Sequence, residues 1–256
     1  MKITDKTYFD AYRQRLGQQI EAWFKAFDFS EAAGDLGYRT AASAVYSSNI
    51  EGNTIDLNTF MNLKLAQEKF RHHKEVEEIE DLIAAYEFAQ QRSLSEKNLL
   101  KAHQILSRSF LINSRQGNYR TGRMGVFSER GLVYLAVEPE NVSKEMRAFF
   151  EQLAKLLVQK LTRTETFYFA SLTHLRFAHI HPFSDGNGRA ARLLEKWFLA
   201  ENLGREAWKL PSEKYYKEHQ ETYYKTINLG VNFYELDYDR CLPFLEMLPQ
   251  CLKESP

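Results

Sequence analysis

The chain has 256 residues, of which 44% are hydrophobic, and its 34 Lys and Arg residues balance its 34 Asp and Glu residues. A chain of this length can bury a substantial hydrophobic core. The absence of net charge argues against a protein that coats nucleic acid, so we expect no nucleic-acid partner.

The N-terminus and the cysteines indicate the compartment. The first residues contain no apolar segment of the kind that forms a secretory signal. No part of the chain approaches the roughly 20 consecutive apolar residues of a membrane span. Cys241 and Cys251 lack the spacing of a metal-binding or redox pair. We therefore expect a cytoplasmic protein with reduced thiols and no membrane partner.

Apolar residues recur at intervals of three and four along most of the chain, which is typical of amphipathic helices. Gly and Pro residues interrupt these segments without forming a flexible linker. We therefore expect a mainly α fold. The periodicity predicts helices over residues 9–27, 82–88, 99–110, 142–157, 167–180 and 190–199, and less regular helices over 215–227 and 242–248.

The segment MGVFSERGLVYLAV, residues 124–137, breaks the helical pattern with two short runs of β-forming residues. It predicts a β-hairpin that turns at residues 128–131. A lone hairpin is often a simple connector, but an exposed strand can also bind an extended peptide through its main chain. Both interpretations stay open. The strand residues of interest are Val126, Phe127, Leu132, Val133 and Tyr134.

The stretch HPFSDGNGRAAR, residues 181–192, contains a glycine turn directly before a predicted helix. Gly186, Asn187 and Gly188 in such a turn can direct main-chain N–H groups at an anion, because a helix N-terminus carries positive potential. Most glycine turns mark only a tight loop. Asp185 is either the cap of the helix or an oxygen ligand of the kind that Mg²⁺ accepts together with substrate phosphates.

Two arginines follow the turn. Arg189 and Arg192 lie three positions apart on the predicted helix and therefore share a face. Two guanidinium groups beside an anion-binding turn suit a polyphosphate. Such a pair is also common on a solvated helix face, so the arginines alone leave both interpretations open.

His181 stands at the end of the predicted helix over 167–180. A neutral imidazole at physiological pH is suited to remove the proton of a hydroxyl. The alternatives are a histidine packed in the core, and a zinc hydrolase site formed with His174, His179 and Asp185. Zinc chemistry leaves the two arginines unexplained.

The stretch from His181 to Arg192 resembles the signature of the Fic family, His-x-Phe-x-Asp/Glu-Gly-Asn-Gly-Arg-x-x-Arg, at every defined position. The resemblance covers roughly residues 99–199 and includes the sequence GNYR at 117–120 and the hairpin. It implies a Fic-type helical core whose active-site loop joins two helices. It also implies that the hairpin is a flap on which the target docks. The hairpin is followed by one proline, Pro139, where many members have two.

The resemblance implies adenylylation, the transfer of AMP from ATP to a Ser, Thr or Tyr hydroxyl of a target protein. In that chemistry His181 takes the hydroxyl proton and Asp185 binds the cofactor Mg²⁺. The implied α-phosphate site consists of main-chain amides and the Asn187 side chain. The implied phosphate-binding residues are Gly186, Asn187, Gly188, Arg189 and Arg192.

A second motif, YSSNIEGN at 46–53, predicts a helix over about 40–52 that ends at Gly52. Ser47 and Glu51 are four positions apart and share a face of that helix. The pattern fits an ordinary polar helix end. It also resembles the inhibitory motif of the Fic family, Ser/Thr-x-x-x-Glu-Gly/Asn, in the arrangement in which the inhibitory helix precedes the core.

This second resemblance implies that Glu51 pairs with Arg192 and competes with the γ-phosphate of ATP for one guanidinium. Because some members with this glutamate also remove AMP, the resemblance allows de-AMPylation. We expect an N-terminal helical region over residues 1–95 and a Fic core with C-terminal helices over 96–256.

The expected partners are ATP and a protein target, with self-modification and a homo-oligomer left open. An alternative from another class is a non-catalytic module that binds nucleotide and takes part only in interactions.

Overall fold

A computed structural model of the chain describes residues 1–29, 36–65, 74–128 and 131–253. Its α-helices are α1 Phe9–Ala26, α2 Leu36–Ile50, α3 Leu57–Leu65, α4 Lys74–Gln90, α5 Glu96–Leu106, α6 Pro139–Leu157, α7 Arg163–Ile180, α8 Asn187–Leu203, α9 Ser212–Glu218, α10 Gln220–Ile227 and α11 Leu242–Leu245. Two strands, β1 Gly125–Ser128 and β2 Gly131–Leu135, precede α6. The expected mainly α fold with a short hairpin is confirmed.

Helices α7 and α8 form the centre of the fold and are joined by the loop 181–186. Thr162 and Glu165 close the start of α7 with reciprocal side-chain to main-chain hydrogen bonds, which satisfy two amide groups that a helix start leaves unpaired. Most side chains of both helices are buried, including polar ones. Because α7 and α8 are buried on all sides, they hold both ends of the loop that joins them in place.

The N-terminal helices pack onto this central pair. Helix α1 packs against α7, and α2 packs against α4, α8 and α9. One cluster of buried hydrophobic residues contains Tyr12 of α1, Val45 of α2, Phe177 of α7 and Trp197 of α8. The division at residue 95 stays a prediction, since the core continues across it.

The hairpin is antiparallel, with an irregularity between Val126 and Phe127. The turn predicted at 128–131 includes two residues, 129–130, that lie outside the described part of the chain. The Tyr134 hydroxyl donates a hydrogen bond of 2.6 Å to the carbonyl of His179, and the Leu135 amide donates one of 2.7 Å to Val231. The first bond attaches β2 to the end of α7, beside the central loop, and the second attaches it to the segment after α10.

Three elements differ in number or type from the predicted ones, and α4 begins at Lys74 instead of residue 82. Helix α3 is absent from the predicted helices. Asp56 caps its start, since the Asp56 carboxylate accepts a hydrogen bond of 2.9 Å from the Thr59 amide. The predicted helix over 215–227 is two helices that meet at His219. The last predicted helix ends early as α11 and is followed by a 3-10 helix, Leu248–Lys253. Among the described residues no helix is long and apolar enough to span a membrane.

A buried ion pair links α8 to α9. Lys196 donates to the Glu213 carboxylate, to the carbonyl of Leu210 at 2.7 Å and to the Ser43 hydroxyl of α2 at 2.7 Å. Glu213 also accepts from the Tyr86 hydroxyl at 2.7 Å. Both charged side chains are almost fully buried. The Lys196 charge lowers the pKa of the Glu213 carboxyl against the effect of burial, which raises it.

Removing the carboxylate of this pair leaves the Lys196 charge buried without its counter-ion. We expect Glu213→Ala to lower the free energy of unfolding by about 3 kcal/mol. The matched control is Glu218→Ala, which breaks the exposed pair between Lys214 and Glu218 and should cost less than about 0.5 kcal/mol. Urea unfolding measures both, and equal small losses would contradict the assigned importance of the buried pair.

Candidate active site

The loop between α7 and α8 starts at His181, whose backbone is left-handed with φ of 52°. This conformation is costly for a residue with a side chain, so the surroundings must hold it. Arg120, from the sequence GNYR, supplies that support. Its Nε donates to the His181 carbonyl at 2.7 Å and its amide donates to Pro182 at 2.9 Å, while its Nη2 donates to the carbonyl of Val137.

The His181 imidazole has one nitrogen bonded to the protein. Nδ1 lies 3.2 Å from the carbonyl of Ala178, which can only accept, so Nδ1 carries the proton and donates it. The Nε2 atom therefore keeps its lone pair. Burial lowers the pKa of His181 below the ordinary value, and this keeps the ring neutral at physiological pH. A neutral imidazole with a free Nε2 lone pair is the state that a general base requires.

The glycine turn that follows has Gly186 at φ of 76°. A side chain at Gly186 would be strained there and crowded by Leu106 and Phe110. Both ends of the Asn187 amide bond to the main chain of Phe183, with Oδ1 accepting at 2.9 Å and Nδ2 donating at 2.9 Å. The Asn187 side chain therefore holds the loop closed, and its binding of the α-phosphate stays a prediction.

His103 of α5 supports the turn from below, and the sequence analysis missed it. Its ring stacks on Phe183, with centroids 3.5 Å apart. Its Nδ1 accepts from the Gly117 amide at 3.0 Å, so its Nε2 donates to the carbonyl of Asp185 at 2.9 Å. Burial lowers the pKa of His103 to about 4, consistent with a neutral ring. In the sequence, His103 lies on the apolar face of a predicted helix. That position does not distinguish a histidine that supports the loop from one that only packs in the core.

Arg192 lies in the interior, with only 1% of its surface exposed. Its Nε donates to the Ser47 hydroxyl at 2.9 Å, and its Nη2 donates to the Ser47 carbonyl at 2.9 Å. Nη2 also donates to Glu51 Oε1 at 2.6 Å, and Nη1 to the Tyr223 hydroxyl at 3.3 Å. Burial opposes the charge of Arg192, but the Glu51 carboxylate outweighs it and raises the pKa of the guanidinium.

Glu51 lies directly over the turn. A methyl group added at Gly188 would come within 2.1 Å of Glu51 Oε1. The loss of surrounding water raises the pKa of the Glu51 carboxyl, but the Arg192 charge and hydrogen bond prevail and lower it. The charged carboxylate therefore occupies the space into which a side chain at Gly188 would project. The predicted proximity of Ser47, Glu51 and Arg192 is present in the structure.

Arg189 points to a different helix. Its Nη1 donates to Glu78 of α4 at 3.2 Å, and its Nη2 lies 3.9 Å from Asp185 Oδ1. Its guanidinium lies over the Phe110 ring, 3.9 Å from the centroid. Arg189 thus contacts α4, whereas Arg192 contacts α2, although the two arginines lie three positions apart on α8. Glu78 was missed because α4 begins with several acidic residues that no spacing rule distinguishes.

The zinc alternative is wrong. His174 bonds through Nδ1 to Glu195 and through Nε2 to Tyr223, both at 2.9 Å. His179 bonds through both nitrogens to Tyr238 and to the carbonyl of Ile227. All four ring nitrogens are occupied by protein groups, and the described residues contain no cluster of three side chains able to hold a metal.

Asp185 fits a different kind of metal. Its side chain is 58% exposed at the mouth of the turn, and its Oδ1 accepts from the Gly186 amide at 2.6 Å. A single exposed carboxylate beside a glycine turn at a helix N-terminus suits Mg²⁺, which keeps waters and takes phosphates of a substrate as its other ligands. It does not suit a metal that needs a full set of protein ligands.

Comparison with known proteins identifies relatives of this chain. Residues 93–199 match the model of the Fic/DOC family. A protein adenylyltransferase Fic from Nematostella vectensis is 29% identical over 181 residues, which is 65% of this chain and 40% of that relative. The chain thus spans well under half the length of this relative.

Solved structures show the same fold. A Fic family protein from Desulfovibrio desulfuricans superposes with a TM-score of 0.77 at 25% identity, covering 95% of this chain and 72% of that one. A signaling protein with a Fic domain from Bacteroides thetaiotaomicron gives 0.69 at 23% identity, covering 92% and 91%.

His179, two residues before His181, yields a test of the packing around the loop. Burial lowers the pKa of His179 to about 3 from an unfolded value of about 6.5. Between these values the unfolded chain binds a proton that the native chain does not. Stability is therefore complete above pH 6.5 and is lost as the pH falls, by about 2 kcal/mol at pH 5 from this residue.

The measurement is the free energy of unfolding at pH 7 and pH 5. The loss on acidification should shrink by about 2 kcal/mol in His179→Gln. An unchanged loss in His179→Gln would show that His179 is protonated in the native state.

Proposed function

We propose that the chain, whose residues 93–199 match the model of the Fic/DOC family, is a protein adenylyltransferase that transfers AMP from ATP to a side-chain hydroxyl of a protein. We further propose that Glu51 inhibits it by holding Arg192. The observation that carries the proposal is the 2.6 Å bond from Arg192 to Glu51, with the carboxylate over Gly188 and beside a free His181 Nε2 lone pair.

The main chain of the turn would bind the α-phosphate. The Gly188 amide belongs to the first turn of α8, where the helix N-terminus attracts anions. Arg189 and Arg192 would hold the β- and γ-phosphates, and guanidinium groups suit this because they donate in pairs to phosphate oxygens. Phosphates held on both sides fix the α-phosphorus between them.

His181 would take the proton. As the target hydroxyl approaches, Nε2 accepts its proton and the oxygen forms a bond to the α-phosphorus. The bond from that phosphorus to the oxygen bridging to the β-phosphate breaks, and pyrophosphate leaves with the electron pair. Mg²⁺ held by Asp185 would supply positive charge for the phosphates when bound.

The hairpin would present the target. Val126, Phe127 and Leu132 are exposed, at 39%, 70% and 45%. Tyr134 is buried and bonded to the end of α7, so its side chain would anchor the flap while its main chain stays part of the strand. A target segment added to this flap by main-chain hydrogen bonds would lie close to His181.

Glu51 would keep the enzyme inactive by competition. While Glu51 holds Arg192, the γ-phosphate lacks that partner and the triphosphate settles with its α-phosphorus misplaced. A hydrogen bond to a charged group contributes about 1.5–3 kcal/mol, or roughly ten- to a hundredfold in population. This is enough to keep a two-state switch mostly closed and still within reach of a partner's contacts.

We expect Glu51→Gly to raise the transfer of labelled AMP from ATP to the protein itself and to lysate proteins by at least about tenfold, since it removes the competing bond. The measurement is gel-based labelling with ATP labelled at the α-phosphate in the presence of Mg²⁺.

The control for chemistry is His181→Ala in the Glu51→Gly background, which should abolish labelling because it removes the base. Labelling of equal strength in both variants would contradict the proposed mechanism. The alternative of a non-catalytic module predicts that ATP raises the melting temperature of Glu51→Gly but that no protein becomes labelled.

A further inference from the structure

The two arginines of the loop both meet carboxylates, but the two carboxylates approach in different ways. Glu51 bonds to Arg192 and lies over Gly188, in the space where the proposed phosphate would bind. Glu78 bonds to Arg189 from another helix, α4, with 19% of its side chain exposed. A carboxylate on an arginine can either block the arginine or hold it in place.

The atoms of Arg189 distinguish these two roles. Glu78 contacts Nη1 alone. The other edge of the guanidinium, formed by Nε and Nη2, can donate two parallel hydrogen bonds, and Glu78 leaves it unoccupied. Nη2 is turned toward Asp185 at 3.9 Å, and Nε is buried with no hydrogen-bond partner among the described residues. A buried donor without a partner is unfavourable, and a phosphate oxygen bound at this edge would supply the missing partner.

The plane of the guanidinium is fixed as well. Phe110 lies beneath it, 3.9 Å from the ring centroid to the guanidinium carbon. Helix α4 is held in register there, since Asp81, three positions after Glu78, accepts from the Ser109 amide at 2.9 Å. Glu78 and Phe110 thus restrain Arg189 in rotation and in tilt.

We propose that Glu78 is a positioning residue: it holds the Nη1 side of Arg189 so that the Nε and Nη2 edge faces the loop, ready for a phosphate beyond the α-phosphate of ATP. This inference rests on the proposed function for the identity of the nucleotide. It gives the two carboxylates opposite effects, since Glu51 opposes productive ATP binding and Glu78 favours it.

The test measures nucleotide binding and not transfer. In the Glu51→Gly background, which frees Arg192, calorimetry with ATP and Mg²⁺ should give a Kd about tenfold higher for Glu78→Gln, because the neutral amide no longer holds the guanidinium. The Kd for AMP should change less than about twofold, because AMP has no phosphate beyond the first. Glu80→Gln, an exposed residue on the same helix, is the matched control and should leave both values unchanged.

A double-mutant cycle shows whether Glu78 acts through Arg189. Adding Glu78→Gln to Arg189→Ala should change the ATP Kd by less than about twofold. Melting temperatures confirm that each variant is folded. A Kd for ATP that is unchanged or lower in Glu78→Gln overturns the positioning role, as does an equal loss for AMP or a full loss in the Arg189→Ala background.

The two proposals can fail separately. If labelling with ATP fails in Glu51→Gly while the ATP Kd rises in Glu78→Gln, the positioning role stands and the adenylyl transfer does not. If labelling succeeds and Glu78→Gln binds ATP as tightly as the Glu51→Gly parent, the transfer stands and the positioning role does not.

Discussion

The site depends on one buried cation. Arg192 is removed from water and must be paired, since an uncompensated charge in a protein interior is strongly unfavourable. Its partners are the side chain and carbonyl of Ser47, the Tyr223 hydroxyl and the Glu51 carboxylate. Glu51 is the only charged one among these four. Any anion that replaces it must therefore bring its own negative charge to the same place, which is a property of a phosphate.

The helix that carries Glu51 is held by more than this bond. Lys196 donates a hydrogen bond to Ser43 of α2, and Arg192 donates one to Ser47, one turn further along the same helix. At the other end of α2, the carbonyl of Ile50 accepts bonds from Gln220 at 2.9 Å and from Tyr224 at 2.8 Å. These contacts do not involve the Glu51 side chain. For the proposed inhibition, they favour a switch in which the carboxylate leaves Arg192 while α2 stays in place.

The sequence could predict those parts of the site that are close together along the chain. The loop from His181 to Arg192 carries its histidine, turn and arginines in one stretch, and the Ser47 and Glu51 pair follows from helical spacing. The mainly α fold and the hairpin follow from periodicity for the same reason. Each of these depends on neighbours within a few turns, where spacing determines geometry.

The remaining parts depend on contacts between distant segments. Glu78 is one of several acids at the start of α4, and only the packing of α4 against α8 brings it to Arg189. His103 reaches the loop across 82 positions. The Asn187 side chain, which the resemblance assigns to the α-phosphate, also has a competing donor and acceptor in the main chain of Phe183. Local patterns contain no information on such competition.

The central claim is that Glu51 and the terminal phosphate of ATP compete for Arg192. The most direct measurement is a pair of crystal structures, wild type and Glu51→Gly, each with a non-hydrolysable ATP analogue and Mg²⁺. We expect the γ-phosphate within about 3 Å of the Arg192 guanidinium nitrogens in Glu51→Gly, with the α-phosphate at the turn, and a displaced triphosphate in the wild type. A γ-phosphate in the same position in both structures, or a triphosphate bound away from the loop, would contradict the claim.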